Sequence, residues 1–84
     1  MTYSEAITVL FGVHNGLPNN YVLKASFFTA IGNLNSEEGG GSDSDLQVCD
    51  QVFDAYPSPS FQTSLEVISE TVNPDKPYPT KKVY

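Results

Sequence analysis

Apolar side chains recur at helical spacing in four short segments of the sequence, and turn-forming residues separate these segments. In the first segment they stand at steps of three and four residues: Tyr3, Ala6, Ile7, Leu10 and Phe11. This spacing places them on one side of an α-helix. The four segments are residues 2–14, 20–34, 45–56 and 59–72. The pattern predicts an all-α fold, a small single domain of about four short helices with an extended C-terminal tail.

Residues that favour helix ends flank most of these segments. Thr2 and Glu5 match a capping box, in which each side chain accepts a hydrogen bond from the backbone N–H of the other residue. Ser58 and Pro59 are typical of an N-cap and a first helical position. Two serines are candidate caps of the third helix, Ser42 and Ser44. The stop signals are Asn15, Gly16 and Pro18 after the first segment, and Asn73 and Pro74 after the fourth.

A second fold class remains open because short apolar segments also fit strands. Residues 61–67 alternate apolar and polar side chains, as a half-buried strand does. Residues 7–13 and 21–28 would pair as a hairpin around residues 14–16. The alternative to four helices is therefore an α+β fold with a small antiparallel sheet.

The length of 84 residues limits the chain to a single domain. A chain of this size buries about 60% of its unfolded surface, which leaves nothing for a second core. We expect one small acidic domain over residues 1–73. Its predicted core comes from the last three apolar stripes: Leu23, Phe27, Ile31, Leu46, Phe53, Leu65 and Ile68.

Two segments carry no helical pattern. Residues 36–44 are rich in Gly, Ser and acidic residues, a composition typical of a flexible linker. Residues 74–84 form a tail rich in Pro, Lys and Tyr, which favours extended backbone. We expect this tail to be either a disordered end or a strap that lies over the acidic domain.

Acidic residues dominate the charge of the chain. Ten Asp and Glu residues oppose four Lys, Arg is absent, and the net charge is -6. Residues 1–73 contain nine acids and Lys24 as their one basic residue, so they carry -8, whereas the tail carries +2. Proteins bind nucleic acids through Lys and Arg, which displace counterions from the phosphates. The composition therefore argues against direct binding of nucleic acid.

Six carboxylates fall within 18 residues that contain no basic side chain: Glu37, Glu38, Asp43, Asp45, Asp50 and Asp54. We interpret them as candidate partner-binding residues, because a surface of carboxylates attracts a basic patch on another protein. They also fit a solvated helix face near a helix N-terminus. A calcium site fits less well. Asp43 and Asp45 have the spacing of the first two ligands of a calcium-binding loop, but no third acidic ligand and no Gly follow at the positions that such a loop requires.

Catalytic and metal-binding residue types are scarce. A single His and a single Cys exclude a disulfide framework and a Cys/His zinc site. Cys49 lies on the apolar stripe of the third segment, which is typical of a buried structural thiol. His14 stands near a predicted helix end, where a positive charge is favourable to the helix dipole. We therefore expect no enzyme activity, no cofactor and no metal site.

These observations predict a non-enzymatic interaction module, a small acidic inhibitor or adaptor that docks a basic surface of a partner protein. A nucleic-acid-binding surface is one such target, since the carboxylates would stand where phosphates lie. The alternative is a small structural or assembly subunit, for example of a viral particle or a homo-oligomer. No apolar stretch is long enough to span a membrane, and no basic residue precedes the first apolar run, so we expect a cytoplasmic protein.

Overall fold

The computed structural model describes residues 1–36, 43–75 and 78–79, and most of these residues are helical. The helices are α1 (Tyr3–Gly16), α2 (Lys24–Ser36), α3 (Asp43–Ala55) and α4 (Pro59–Val72). None of the helices in these ranges is both long enough and apolar enough to cross a membrane. The same residues contain no β-strand. The all-α prediction is therefore confirmed, and the α+β alternative is wrong for this part of the chain.

Side-chain caps fix the N-terminal ends of α1 and α4 where the sequence predicts them. Thr2 Oγ1 accepts a hydrogen bond from the N–H of Glu5 at 3.1 Å, and Glu5 Oε1 accepts one from the N–H of Thr2 at 2.8 Å. Ser58 Oγ accepts one from the N–H of Phe61 at 3.3 Å, and Pro59 is the first helical residue. These caps satisfy backbone donors that a helix start leaves without intrahelical partners.

The strand-like alternation of residues 61–67 is contained within α4. Phe61, Leu65 and Ile68 are fully buried along one side of this helix, whereas Thr63 is exposed. The helical stripe continues beyond the alternating segment, and burial follows it. A helix therefore buries more of the apolar surface of this segment than a strand would.

The second helix begins at Lys24, four residues after its predicted start. The preceding residues form turns, in which Pro18 O accepts from the N–H of Tyr21 at 3.0 Å and Tyr21 O accepts from that of Lys24 at 3.1 Å. Lys24 Nζ then donates to Leu17 O at 2.9 Å and holds the turn in place. Leu23 consequently precedes the helix and is only partly buried, so its assignment to the core is wrong.

The third helix begins at Asp43, two residues before its predicted start. Asp43 and Asp45 both lie in its first turn, where the positive end of the helix dipole stabilises carboxylates. Ser44 therefore lies inside the helix, and its prediction as a cap is wrong. The other candidate cap, Ser42, lies outside the described residues.

The predicted linker of residues 36–44 is wrong at both ends. Ser36 is the last residue of α2, and residues 43 and 44 open α3. Residues 37–42 lie outside the described residues. The first helix likewise extends past the predicted stop signals, since Asn15 and Gly16 belong to the last turn of α1.

Each helix packs against two others around one core. α1 and α3 each contact both α2 and α4, so the four helices form a ring. Three aromatic side chains meet at its centre, where the Phe61 ring centroid lies 5.8 Å from that of Phe27 and 5.3 Å from that of Phe53. The other predicted core residues, all but Leu23, are buried as well: Ile31, Leu46, Leu65 and Ile68. The interface between α3 and α4 is the least extensive of the four, and a groove runs between these helices.

Candidate functional site

Two residues of the C-terminal tail, Tyr78 and Pro79, line a groove between α3 and α4. We call this groove, together with the adjoining surface of α3 and α4 that these two residues contact, the tail groove; the open space beside the tail is about 260 Å³. The other walls of that space consist of Asp43, Leu46, Gln47 and Asp50 from α3, and Ser69 and Asn73 from α4 and its C-cap. Of the two expectations for the tail, the contacts of Tyr78 and Pro79 favour the strap over the domain. Tail residues 76–77 and 80–84 lie outside the described residues.

The Tyr78 side chain is anchored to α3. Its hydroxyl donates a hydrogen bond to Asp50 Oδ1 at 2.5 Å, and the side chain is half-buried. Burial raises the pKa of Tyr78, and the hydrogen bond to Asp50 and the negative charges of Asp50 and Asp54 raise it further. The hydroxyl therefore keeps its proton and remains a donor to Asp50.

Gln62 of α4 anchors the main chain of the tail. Its side-chain amide donates from Nε2 to Pro79 O at 3.2 Å and to Glu66 Oε2 at 2.9 Å. Gln62 is only 7% exposed. Leaving such a buried amide without acceptors would cost about 1–3 kcal/mol. Gln62 therefore provides the tail groove with a hydrogen-bond donor for a backbone carbonyl group.

Three of the predicted partner-binding carboxylates lie on the side of α3 that borders this groove. Asp43 and Asp50 form part of its wall, and Asp43 accepts a hydrogen bond from Asn73 Nδ2 at the end of α4. Asp54 is exposed and lies close enough to Tyr78 for its charge to act on that hydroxyl. The helical repeat explains the grouping, because residues 43, 50 and 54 follow one another on a single face.

The remaining predicted residues are not part of this face. Asp45 turns toward α2, where Asn33 Nδ2 donates to its Oδ1 at 3.2 Å. Glu37 and Glu38 lie outside the described residues. The structure thus brings together Asp43, Asp50 and Asp54 and separates Asp45 from them.

Side chains from other parts of the fold donate hydrogen bonds to three carboxylates of α3. Amides donate to Asp43 and Asp45, and a phenol donates to Asp50. Lys24, the one lysine among the described residues, donates instead to Leu17 O at 2.9 Å and to Asn19 Oδ1 at 3.0 Å. The described contacts therefore orient the acidic face of α3 and leave Lys24 in the α1–α2 connection.

The sequence pattern does not mark six residues of the tail groove as site residues: Gln47, Gln62, Ser69, Asn73, Tyr78 and Pro79. Gln62, Ser69 and Asn73 share one signal, because together with Glu66 they form a polar stripe at steps of three and four residues along α4. Ser69 is buried despite its polarity. A polar stripe beside an apolar one indicates that the helix packs against something polar, which here is the tail.

Cys49 and His14 occupy the places that the sequence predicts for them. Cys49 is fully buried. Burial, reinforced by the nearby charge of Asp45, raises the pKa of its thiol to about 12, so the thiol stays protonated at neutral pH. His14 lies in the last turn of α1 with its ring 5.1 Å from that of Phe28. Within the described ranges, no three His, Cys, Asp or Glu side chains converge in a way that would hold a metal ion.

The sequence matches no protein-family model, and comparisons with curated proteins and with solved structures give no significant match.

Proposed function

We propose that this protein is a non-enzymatic interaction module that docks a basic surface of a partner protein through the acidic face of α3. The single observation that supports this function is the grouping of Asp43, Asp50 and Asp54 on one side of that helix. Asn73 and Tyr78 donate hydrogen bonds to two of these carboxylates and so orient them on α3. The net charge of -6 adds a long-range attraction toward a basic partner.

Electrostatic complementarity of this kind acts mainly on encounter and on the choice of partner. Opposite potentials raise the association rate and suppress docking of acidic proteins. A basic groove that binds nucleic acid is a fitting target, because carboxylates on a rigid helix can stand where phosphates would lie. In that case the protein acts in the cytoplasm as an inhibitor that competes with nucleic acid.

The test compares two single-charge variants on the same helix. Asp54→Asn removes an exposed charge from the acidic face, and Asp45→Asn removes one from the side that faces α2. The full chain captures its basic partner from cell extract at low salt, and association rates of the purified pair are then measured. We expect Asp54→Asn to slow association and Asp45→Asn to change it little.

Salt provides the second readout of the same experiment. Raising the salt concentration from about 0.05 M to about 0.5 M screens exposed charges and should slow the wild type more than Asp54→Asn. Equal rates and equal salt dependence for both variants would exclude the acidic face as the docking surface. Failure to capture any basic protein at low salt would exclude the function as well.

A second candidate, a structural or assembly subunit, is favoured by exposed apolar side chains near the start of α2. Val22 is 85% exposed and Phe28 is 53% exposed. Phe28 also packs against the ring of Phe11, with centroids 5.9 Å apart. A symmetric contact between copies would bury these groups. Light scattering separates the candidates, since this function requires a concentration-dependent oligomer that Val22→Ser weakens.

A further inference from the structure

The tail that occupies the tail groove has the chemistry expected of a partner. Its residues 74–84 carry +2, whereas residues 1–73 carry -8. Its Tyr78 and Pro79 are held by one side-chain contact and one main-chain contact. The chain therefore places Tyr78 and Pro79, which belong to a segment with a net positive charge in sequence, against its own acidic face.

We propose that the tail groove is a binding site for an extended, basic segment of the partner that contains a Tyr-Pro pair, and that the chain's own tail occupies this site in its place. This inference rests on the docking function proposed above. It specifies the segment of the partner that binds to the acidic side of the molecule.

Two anchors set the requirements for the bound segment. Asp50 accepts a hydrogen bond from a tyrosine hydroxyl, and the buried Gln62 amide donates to the carbonyl of the following residue. Neither contact requires that the segment belong to the same chain. Proline in the segment also limits its freedom before binding, so less conformational entropy is lost when it is held in the groove.

Carboxylates on both walls favour basic residues in the bound segment. Asp43 and Asp50 stand on α3, and Glu66 on α4 accepts from the same Gln62 amide that holds the tail. Opposite charge across such a contact raises the association rate and excludes acidic segments. The surroundings of the groove therefore select the same sign of charge that the tail carries.

The attachment of the tail makes it a strong competitor. Only residues 73–77 separate the end of α4 from Tyr78, so the tail reaches the groove at an effective concentration on the order of 1 mM. A segment from another molecule binds only to the fraction of chains whose tail is released, and its apparent affinity falls by that fraction. Release of the tail should therefore strengthen binding of an external segment.

The experiment measures binding of a fluorescent peptide with the sequence of residues 73–84 to the full-length protein by fluorescence anisotropy. The Tyr78→Ala variant removes the hydroxyl that bonds to Asp50, so it should release the tail, and it leaves Asp50 and Gln62 in place to bind the peptide. If the tail is docked in about nine of ten wild-type molecules, this variant should bind the peptide about tenfold more tightly. The double variant Tyr78→Ala/Asp50→Ala removes the hydroxyl acceptor and should lose most of that gain. A peptide in which the tyrosine is replaced by alanine should show no gain with any variant.

Circular dichroism and thermal melting of each variant verify that the helices remain folded, and Gln62→Ala added to Tyr78→Ala tests the second anchor independently. The inference is overturned if Tyr78→Ala binds the peptide no more tightly than the wild type. Equal affinity of Tyr78→Ala and Tyr78→Ala/Asp50→Ala would also overturn it. A wild-type dimer that dissociates in Tyr78→Ala would identify the occupant as the tail of a second copy and exclude the partner segment.

The peptide test and the charge test on Asp54 have separate readouts, and Asp54 does not line the groove. Slower association of Asp54→Asn without peptide binding would leave the proposed function in place and remove only this site. Peptide binding with no effect of Asp54→Asn would retain the groove and exclude docking through the acidic face.

Discussion

Tyr78 donates its hydroxyl hydrogen bond to Asp50 Oδ1 at 2.5 Å, although 28 residues separate the two in sequence. Asp50 therefore has two roles at once, as a carboxylate of the acidic face and as the acceptor that holds the tail. Its removal would alter both the charge of α3 and the position of the tail. Replacing Asp54, which does not line the groove, changes the charge of α3 without removing the acceptor of the Tyr78 hydroxyl.

This contact should make docking of the tail sensitive to high pH. Burial, followed by the hydrogen bond to Asp50, raises the pKa of Tyr78 above its ordinary value of 10.0. The neutral phenol is the form that docks, so its contribution is fully present below the ordinary pKa and is lost as the pH rises through the raised pKa. Ultraviolet absorbance should show one tyrosine that ionises later than the others and that is missing in Tyr78→Phe. Unchanged titration of the remaining tyrosines in Tyr78→Phe is the control, and absence of a late-ionising group in the wild type would contradict the contact.

The core should depend on Phe53 far more than on Phe28. Phe53 is 2% exposed and packs against Phe61, whereas Phe28 is 53% exposed at the surface. Phe53→Ala leaves a cavity and should cost about 3–5 kcal/mol, which approaches the whole stability of a small domain. Phe28→Ala removes the same atoms from a partly solvated site and should cost much less. Thermal melting followed by circular dichroism measures both, and similar melting temperatures would show that Phe53 is not a core residue.

Local signals in the sequence predict the parts of the fold that local interactions determine. The Thr2 and Ser58 caps bond to backbone groups three residues away, so the sequence alone is enough to place the starts of α1 and α4. The buried stripe of α4 is likewise visible as a helical repeat. The start of α2 is different, because Lys24 Nζ reaches back to Leu17 O and no periodic pattern encodes that contact.

The candidate site is predictable only in part for the same reason. The acidic residues of α3 are visible as a cluster, and their helical spacing indicates which of them share a face. The contacts of Asp43 with Asn73 and of Gln62 with Pro79 join residues 30 and 17 positions apart. Such pairings depend on how the helices pack, which the sequence pattern does not reveal. The tail that packs against the polar stripe of α4 has no helical pattern, so the sequence does not indicate that the two are in contact.

The capping box of α1 should weaken in acid. Hydrogen bonds from the backbone and side chain of Thr2 lower the pKa of Glu5 below its ordinary value of 4.5. The ionised form is the one stabilised, so this contribution is present above the ordinary pKa and is lost as the pH falls through the lowered one. Glu5→Gln should therefore melt at a lower temperature than the wild type at neutral pH, and the difference should shrink in acid. A difference that does not change with pH would show that the charge of Glu5 does not contribute.

Cys49 should report opening of the core through its reaction with thiol reagents. The side chain is fully buried, and burial followed by the nearby charge of Asp45 raises its pKa to about 12, so both access and ionisation oppose reaction in the folded protein. At neutral pH the native protein should react slowly, and denaturant should release one fast-reacting thiol per chain. Because reaction follows the population of opened molecules, Phe53→Ala should accelerate it exponentially with the stability lost, about tenfold for every 1.4 kcal/mol. Tyr78→Ala, which releases only the tail, is the matched control and should change the rate little. Rapid labelling of the wild type would show that Cys49 is not enclosed by the four helices.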